Sequence, residues 1–235
     1  WGNKEKDKKV IPFCVSTNIG KKIKKKKPDG ILVKITEFQL IPWKCNNAPR
    51  EIQGVNVYKH SIVKFLQNLS RSLQQNVTIK SYDYNKLNYV SSEISKNLPK
   101  IKIKILNKLT RRGFEDAKNK KIIVETFNST GFIELLSMNT PVILLTSKLL
   151  FSVKTEYKKY YNELIKNEII WFDAKKAGEY IKKIYPKIDD WWFAKKRQKA
   201  IKIFCENMCR YEKNQMKNLP KILMQISKEK NYVQN

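Results

Sequence analysis

The feature that most constrains this chain is the stretch Ile122-Ile123-Val124-Glu125-Thr126-Phe127-Asn128-Ser129-Thr130-Gly131-Phe132-Ile133-Glu134. A β-branched apolar run ends in a polar Asn-Ser-Thr-Gly turn. A short helical stretch follows, and then the apolar run Pro141-Val142-Ile143-Leu144-Leu145. Strand, polar loop, helix and strand in that order form a parallel crossover unit. In an open α/β sheet, ligands collect outside the carboxyl ends of the strands. Unpaired amides and the positive end of the helix favour a phosphate or carboxylate there.

The rest of the chain repeats the alternation. Ile31–Ile35, Val77–Tyr82, Ile101–Leu106 and Ile169–Phe172 read as strands, with a weaker one at Val10–Val15. Apolar residues at helical spacing (Ile62, Phe65, Leu66, Leu69, Leu73) predict a helix from Tyr58 to Leu73. Shorter helices are expected at 91–98 and 113–120, and a longer one at 153–166. Another runs over 174–185, capped by Asp173 and stopped by Pro186. A helix starting at Asp189 or Asp190 carries Trp191 and Trp192 to about Tyr211, and a last one covers about 219–230. Pro42–Gly54 and Asp83–Tyr89 read as loops. The expected fold is α/β, a Rossmann-like mostly parallel sheet with a helical tail. Residues 1–29 form a linker or junction segment and residues 30–235 form one domain.

Composition sets the partners to consider. The chain has 235 residues and a formal charge of +28. A basic surface attracts nucleic acid or anionic lipid. The excess is nearly all Lys, spread along the chain among many Ile and Asn, and Arg, the better phosphate fork, is scarce. A compositional bias toward Lys with solvated faces is therefore preferred, with an anionic membrane surface second and nucleic acid third. No apolar run is long enough to span a bilayer and no signal-type segment opens the chain, which points to a cytoplasmic protein, at most peripheral on the inner membrane face. Opening on Trp1-Gly2-Asn3-Lys4 without Met, the chain is expected to be a fragment or processed piece. Cys14, Cys45, Cys205 and Cys209 form no CxxC pair, and His60 is the single histidine. The pattern calls for neither a metal nor a cofactor. A Ser/His/Asp triad is unsupported. Glu125 and Asp83 are possible bases without an identifiable partner, so the catalytic residues stay unassigned.

The candidate site gathers at one sheet edge. Asn128, Ser129 and Thr130 either cap the following helix or bind a ligand. Gly131 permits close approach to the backbone. Glu134, one turn on, can complement the helix start or accept two ribose hydroxyls. Lys80, placed near the end of the Val77 strand, could neutralise a diphosphate. Thr36, Glu37, Lys148 and Lys154 are weaker candidates at the same edge. The Trp191-Trp192 pair is expected to lock its helix onto the sheet, with one ring left for a neighbouring surface or a further domain.

Ser129-Thr130-Gly131, Glu134 and Asn139-Thr140-Pro141-Val142-Ile143 resemble the donor region of GT-B glycosyltransferases. More narrowly, Trp1-Gly2, Thr130 with Glu134, Asn139 to Pro141, and Trp191-Trp192 with Gln198 and Phe204 resemble the LIC-type family of bacterial O-antigen and surface-polysaccharide transferases. The resemblance implies transfer of a sugar from a nucleotide-activated donor (UDP-, GDP- or CMP-linked) to a glycan acceptor. It places the nucleotide on Ser129, Thr130 and Glu134, with Lys80 facing the donor phosphate. It also implies an amino-terminal acceptor domain that this chain lacks, so that the piece alone is expected to be inactive. A non-enzymatic basic module and a nucleotide-sugar epimerase-like enzyme are the alternatives.

Overall fold

A computed structural model of the chain describes residues 28–36, 52–82, 89–106, 117–209, 219–221 and 223–224. Six strands form one sheet: β1 (Ile31–Thr36), β2 (Val77–Tyr82), β3 (Lys102–Leu106), β4 (Ile122–Glu125), β5 (Val142–Leu145) and β6 (Ile170–Trp171). Their spatial order is β3-β2-β1-β4-β5-β6 and every pairing is parallel. Helices among the described residues include α1 (Ile52–Gln67), α2 (Arg71–Gln75), α3 (Tyr89–Asn97), α4 (Thr130–Ser137), α5 (Lys158–Lys166), α6 (Ala174–Ile184), α7 (Ile188–Trp192) and α8 (Lys195–Met208). The expected Rossmann-like α/β architecture is the fold found.

The sheet is covered on both sides, which is why its central strands are nearly continuous apolar runs rather than alternating ones. Ile31, Leu32, Val33, Ile122, Ile123 and Val124 are fully buried. Successive strand residues point to opposite faces. Glu125 reaches Gly131 at the start of α4, whereas Thr126 meets Tyr58 of α1. The helices α1 and α4 therefore lie on opposite faces. The α1 helix packs with α3 and α6, and α8 packs with α4 and α5. At the α1–α6 crossing, Gly178 lets the backbones come close: a Cβ there would stand 2.7 Å from the Phe65 carbonyl oxygen. From β1 the chain winds outward through β2 to β3, and from β4 outward the other way through β5 to β6. The β1–β4 boundary is thus the topological switch point, where such sheets open a crevice.

The expected elements differ in detail. The Tyr58–Leu73 helix is two helices: α1 starts earlier, at Ile52, inside the expected loop, and ends at Gln67. Ser70 then caps α2 by accepting the Leu73 amide at 3.4 Å. The α6 helix ends at Ile184, just ahead of Pro186 as expected, and the chain continues through a 3-10 turn, Tyr185–Lys187, into α7. A break at Phe193-Ala194 divides the expected 189–211 helix into α7 and α8. Asp173 caps α6, accepting the Lys176 amide at 3.1 Å. The Val10–Val15 strand, Glu37, Asp83, Cys14, Cys45 and the Trp1-Gly2 dipeptide lie outside the described residues, as do residues 113–116 and most of 219–230.

Both tryptophans are buried, Trp192 completely and Trp191 to 7% exposure, so neither ring is left over for a neighbouring surface. Each finds a different partner for its indole N–H. Trp191 donates to the Tyr180 hydroxyl at 2.7 Å, and Trp192 donates to Asn139 Oδ1 at 2.8 Å. The Arg197 guanidinium stacks 4.4 Å above the Trp191 ring and donates through Nε to the Asn167 carbonyl. Gln198 donates to Asn139 Oδ1 and to the Trp192 carbonyl. Asn139 adopts a left-handed backbone, φ 51°, which asparagine tolerates better than most residues. The Asn-x-Pro turn, the Trp pair and Gln198 are thus one hydrogen-bonded clamp tying α4 and β5 to α7 and α8.

Candidate functional site at the carboxyl edge of β1 and β4

β4 delivers Glu125 and Thr126 to the switch point, and the chain then turns through Asn128 into α4. Ser129 is the N-cap: its backbone is extended and its hydroxyl accepts the Phe132 amide at 3.4 Å. Thr130 is exposed, Gly131, Asn128 and Ser129 are half-buried, and Glu134 is half-buried one turn up the helix. The first-turn amides of Thr130 and Gly131 precede any intrahelical acceptor, so the helix presents them outward with its positive end.

Asn128 closes the base of this turn. Its amide nitrogen stands 3.3 Å from the Tyr161 hydroxyl, and its buried Oδ1 meets no hydrogen-bond partner among the described residues. A buried amide oxygen without a partner carries a desolvation cost that a ligand donor would relieve. Tyr161 is itself packed edge-on against Phe151 and Phe204, and burial pushes its hydroxyl above the ordinary tyrosine range, with the Asn128 bond pulling the other way.

Beneath α4 lies a buried ion pair. Lys34, in the middle of β1, donates to Glu125 Oε1, and the two side chains are 8% and 2% exposed. A Cβ on Gly131 would stand 3.2 Å from both Glu125 Oε1 and Lys34 Nζ and 3.4 Å from Ser129 Oγ. Gly131 therefore brings the first turn of α4 down onto the pair. On the opposite face a chain of hydrogen bonds pins the two strand ends. Thr126 donates to the Lys34 carbonyl at 2.7 Å, so its oxygen receives the Tyr58 hydroxyl proton, and Tyr58 accepts the Thr36 amide at 3.0 Å. A shallow cleft open to solvent lies beside it, lined by Tyr58, Ser61, Thr126, Thr146 and Ser147 over Ile62, Leu145 and Leu150.

The structure thus sets Asn128, Ser129, Thr130 and Gly131 on the turn that starts α4, with Glu134 one helical turn further on. Lys80 is the fourth of six residues in β2, not at its end, and is 2% exposed, in register with Lys34. Thr36 ends β1 as expected, with its amide on Tyr58. Lys148 and Lys154 are exposed on the connection after β5, and His60 is exposed on α1. Sequence reasoning missed Lys34 and Tyr58. A lysine inside the apolar run Ile-Leu-Val-Lys-Ile was the available signal, since a strand buried on both faces requires a partner for such a charge. Glu125, considered as a base, is that partner. Among the described residues no group of three or more His, Cys, Asp or Glu could hold a metal, and no helix is long and apolar enough to cross a membrane.

A sequence model of the LIC12162 family transferases matches residues 1–223. The chain belongs to that family. No curated protein matches it in sequence. Among solved structures it is similar to WaaG, described as a glycosyltransferase involved in lipopolysaccharide biosynthesis, at 10% identity and TM-score 0.48, covering 86% of this chain and 47% of WaaG. It is also similar to MnaA of S. aureus, solved with UDP, at 15% identity and TM-score 0.45, covering 75% of this chain and 44% of MnaA. A third is the catalytic domain of the cholesterol-α-glucosyltransferase of Helicobacter pylori, at 11% identity and TM-score 0.40, covering 78% of this chain and all of that domain. The chain thus spans less than half the length of the first two.

Proposed function

We propose that this LIC12162-family chain is the nucleotide-sugar donor half of a GT-B-type glycosyltransferase acting in bacterial surface-polysaccharide or O-antigen synthesis, completed by an amino-terminal acceptor domain. The observation that carries the reading is the Asn128–Gly131 turn. It sets an N-capped helix start and a buried, unpartnered amide oxygen at the switch point of a parallel sheet. In this reading the Thr130 and Gly131 amides take the donor phosphates, Asn128 and Ser129 flank them, and Glu134 accepts the ribose hydroxyls. Lys80 contributes as a buried charge one strand beyond Lys34 rather than as a surface contact. The donor is a UDP-, GDP- or CMP-sugar and the acceptor a growing glycan. In the whole protein the facing domain supplies the acceptor and the rest of the active site, at the cytoplasmic side of the membrane. Exposed lysines on α5, α6 and α8 lie on helices of both sheet faces, which supports a solvated surface over a dedicated nucleic-acid face.

Calorimetric titration tests the site. Glu134→Ala should weaken UDP or GDP binding about tenfold, the scale of a charged hydrogen bond. Unchanged affinity in that variant and in Asn128→Ala would overturn the assignment.

A further inference from the structure

The geometry points to Lys34 as a positioning residue for this site: its ion pair with Glu125 keeps a buried carboxylate from repelling the anion that α4 receives. The inference rests on the donor reading above and goes beyond it, because Lys34 and Glu125 are not on the ligand-facing turn.

Three observations carry it. First, Glu125 is nearly fully buried directly under the α4 start, since Glu125 Oε1 and Lys34 Nζ lie equally close to the position of a Gly131 Cβ. A negative charge there opposes a diphosphate at the same helix end, and in a medium of low dielectric that opposition is only weakly screened. Second, Glu125 is held by Lys34 across 91 residues of sequence. The register sets Lys34 against Glu125 and, on its other side, against Lys80. Third, Gly131 admits the pair without a side chain between it and the helix amides. Among the described residues, Lys80 on β2 stands in register with Lys34, Glu134 lies one turn up α4, and Tyr58 lies across the sheet. With Lys34 in place the carboxylate is neutralised where it stands. Without Lys34 the carboxylate loses this neutralising partner beneath the phosphate position.

The test uses charge as the readout, because a structural defect would weaken charged and neutral ligands alike. UDP and uridine, and GDP and guanosine, are titrated into the 235-residue chain and its Lys34→Met, Glu125→Gln and Lys34→Met/Glu125→Gln variants. Lys34→Met should lose roughly tenfold or more in diphosphate affinity while nucleoside affinity stays within about twofold. The double variant should recover most of the diphosphate loss. Should Lys34→Met fail to fold, Glu125→Gln decides: its diphosphate affinity should equal or exceed that of the wild type. Equal losses for diphosphate and nucleoside in Lys34→Met, no recovery in a folded double variant, or a diphosphate-selective loss in Glu125→Gln would overturn the inference alone. A wild-type chain that binds none of UDP, GDP and CMP overturns the donor reading and this inference with it.

Discussion

Removing the Tyr58 hydroxyl should loosen the switch point by a predictable amount. Tyr58 is 3% exposed, and its oxygen accepts the Thr36 amide at 3.0 Å while donating to Thr126, which in turn donates to the Lys34 carbonyl. Tyr58→Phe leaves the Thr36 amide without its acceptor and leaves Thr126 one bond short, yet Thr126 keeps its own donation. An orphaned buried donor costs about 1–3 kcal/mol. Thr36 is only half-buried, so water reaches it and the lower half of that range applies, about 1–1.5 kcal/mol. For a chain of this size the melting temperature should fall by roughly 2–6 °C. Thr126→Val breaks the same chain from the other side, so the double variant should cost less than the sum by about 0.5 kcal/mol or more. Urea unfolding followed by circular dichroism supplies the free energies. An unchanged midpoint in Tyr58→Phe, or strict additivity with Thr126→Val, would refute the proton assignment along this chain.

Two further predictions concern packing and pH. Gly178→Ala sets a methyl 2.7 Å from the Phe65 carbonyl oxygen and 2.9 Å from the Asn68 Cβ, so the α1–α6 crossing must open. The overpacking cost of about 1–3 kcal/mol outweighs the gain of about 1 kcal/mol in helix propensity, and denaturant melts should show net destabilisation. The Tyr180 hydroxyl is pushed well above its ordinary value near 10, first by burial and then by Glu168, against the opposing pull of Arg197 and Trp191. Above pH 10 the unfolded chain ionises this group while the folded chain holds its proton, so that part of the stability is full below pH 10 and is lost as pH rises beyond it. Tyr180→Phe should flatten the alkaline loss of stability measured by denaturant melts at pH 9 to 11, and an identical slope would contradict the assignment.

The strands were legible because a sheet covered on both faces writes continuous β-branched runs, as in Ile31–Ile35 and Ile122–Val124. The start of α4 was legible because a cap needs a small oxygen side chain, and the structure selects Ser129 among the three that the sequence offered. Helix breaks were not. Leu69 and Leu73 keep the apolar spacing of α1, yet Ser70 starts a new helix between them, because periodicity reports which side is buried and not whether the axis continues. The continuity expected from Asp189 to Tyr211 failed for the same reason at Phe193-Ala194. Core packing of the Trp pair was legible, but one ring was expected at a neighbouring surface because adjacent helical residues point in different directions, and both are buried. Tyr180 and Asn139, brought in from elsewhere in the chain, give each indole its own partner. Lys34 and Glu125 meet only through strand register, which depends on β4 returning beside β1 and is not written in either segment alone.

The central claim is tested most directly by a crystal structure of the chain with UDP or GDP. The account predicts the diphosphate on the Thr130 and Gly131 amides and the ribose on Glu134, with Asn128 Oδ1 satisfied. A nucleotide bound elsewhere, on the exposed lysines of α5, α6 or α8, with the Asn128 turn empty, would contradict it.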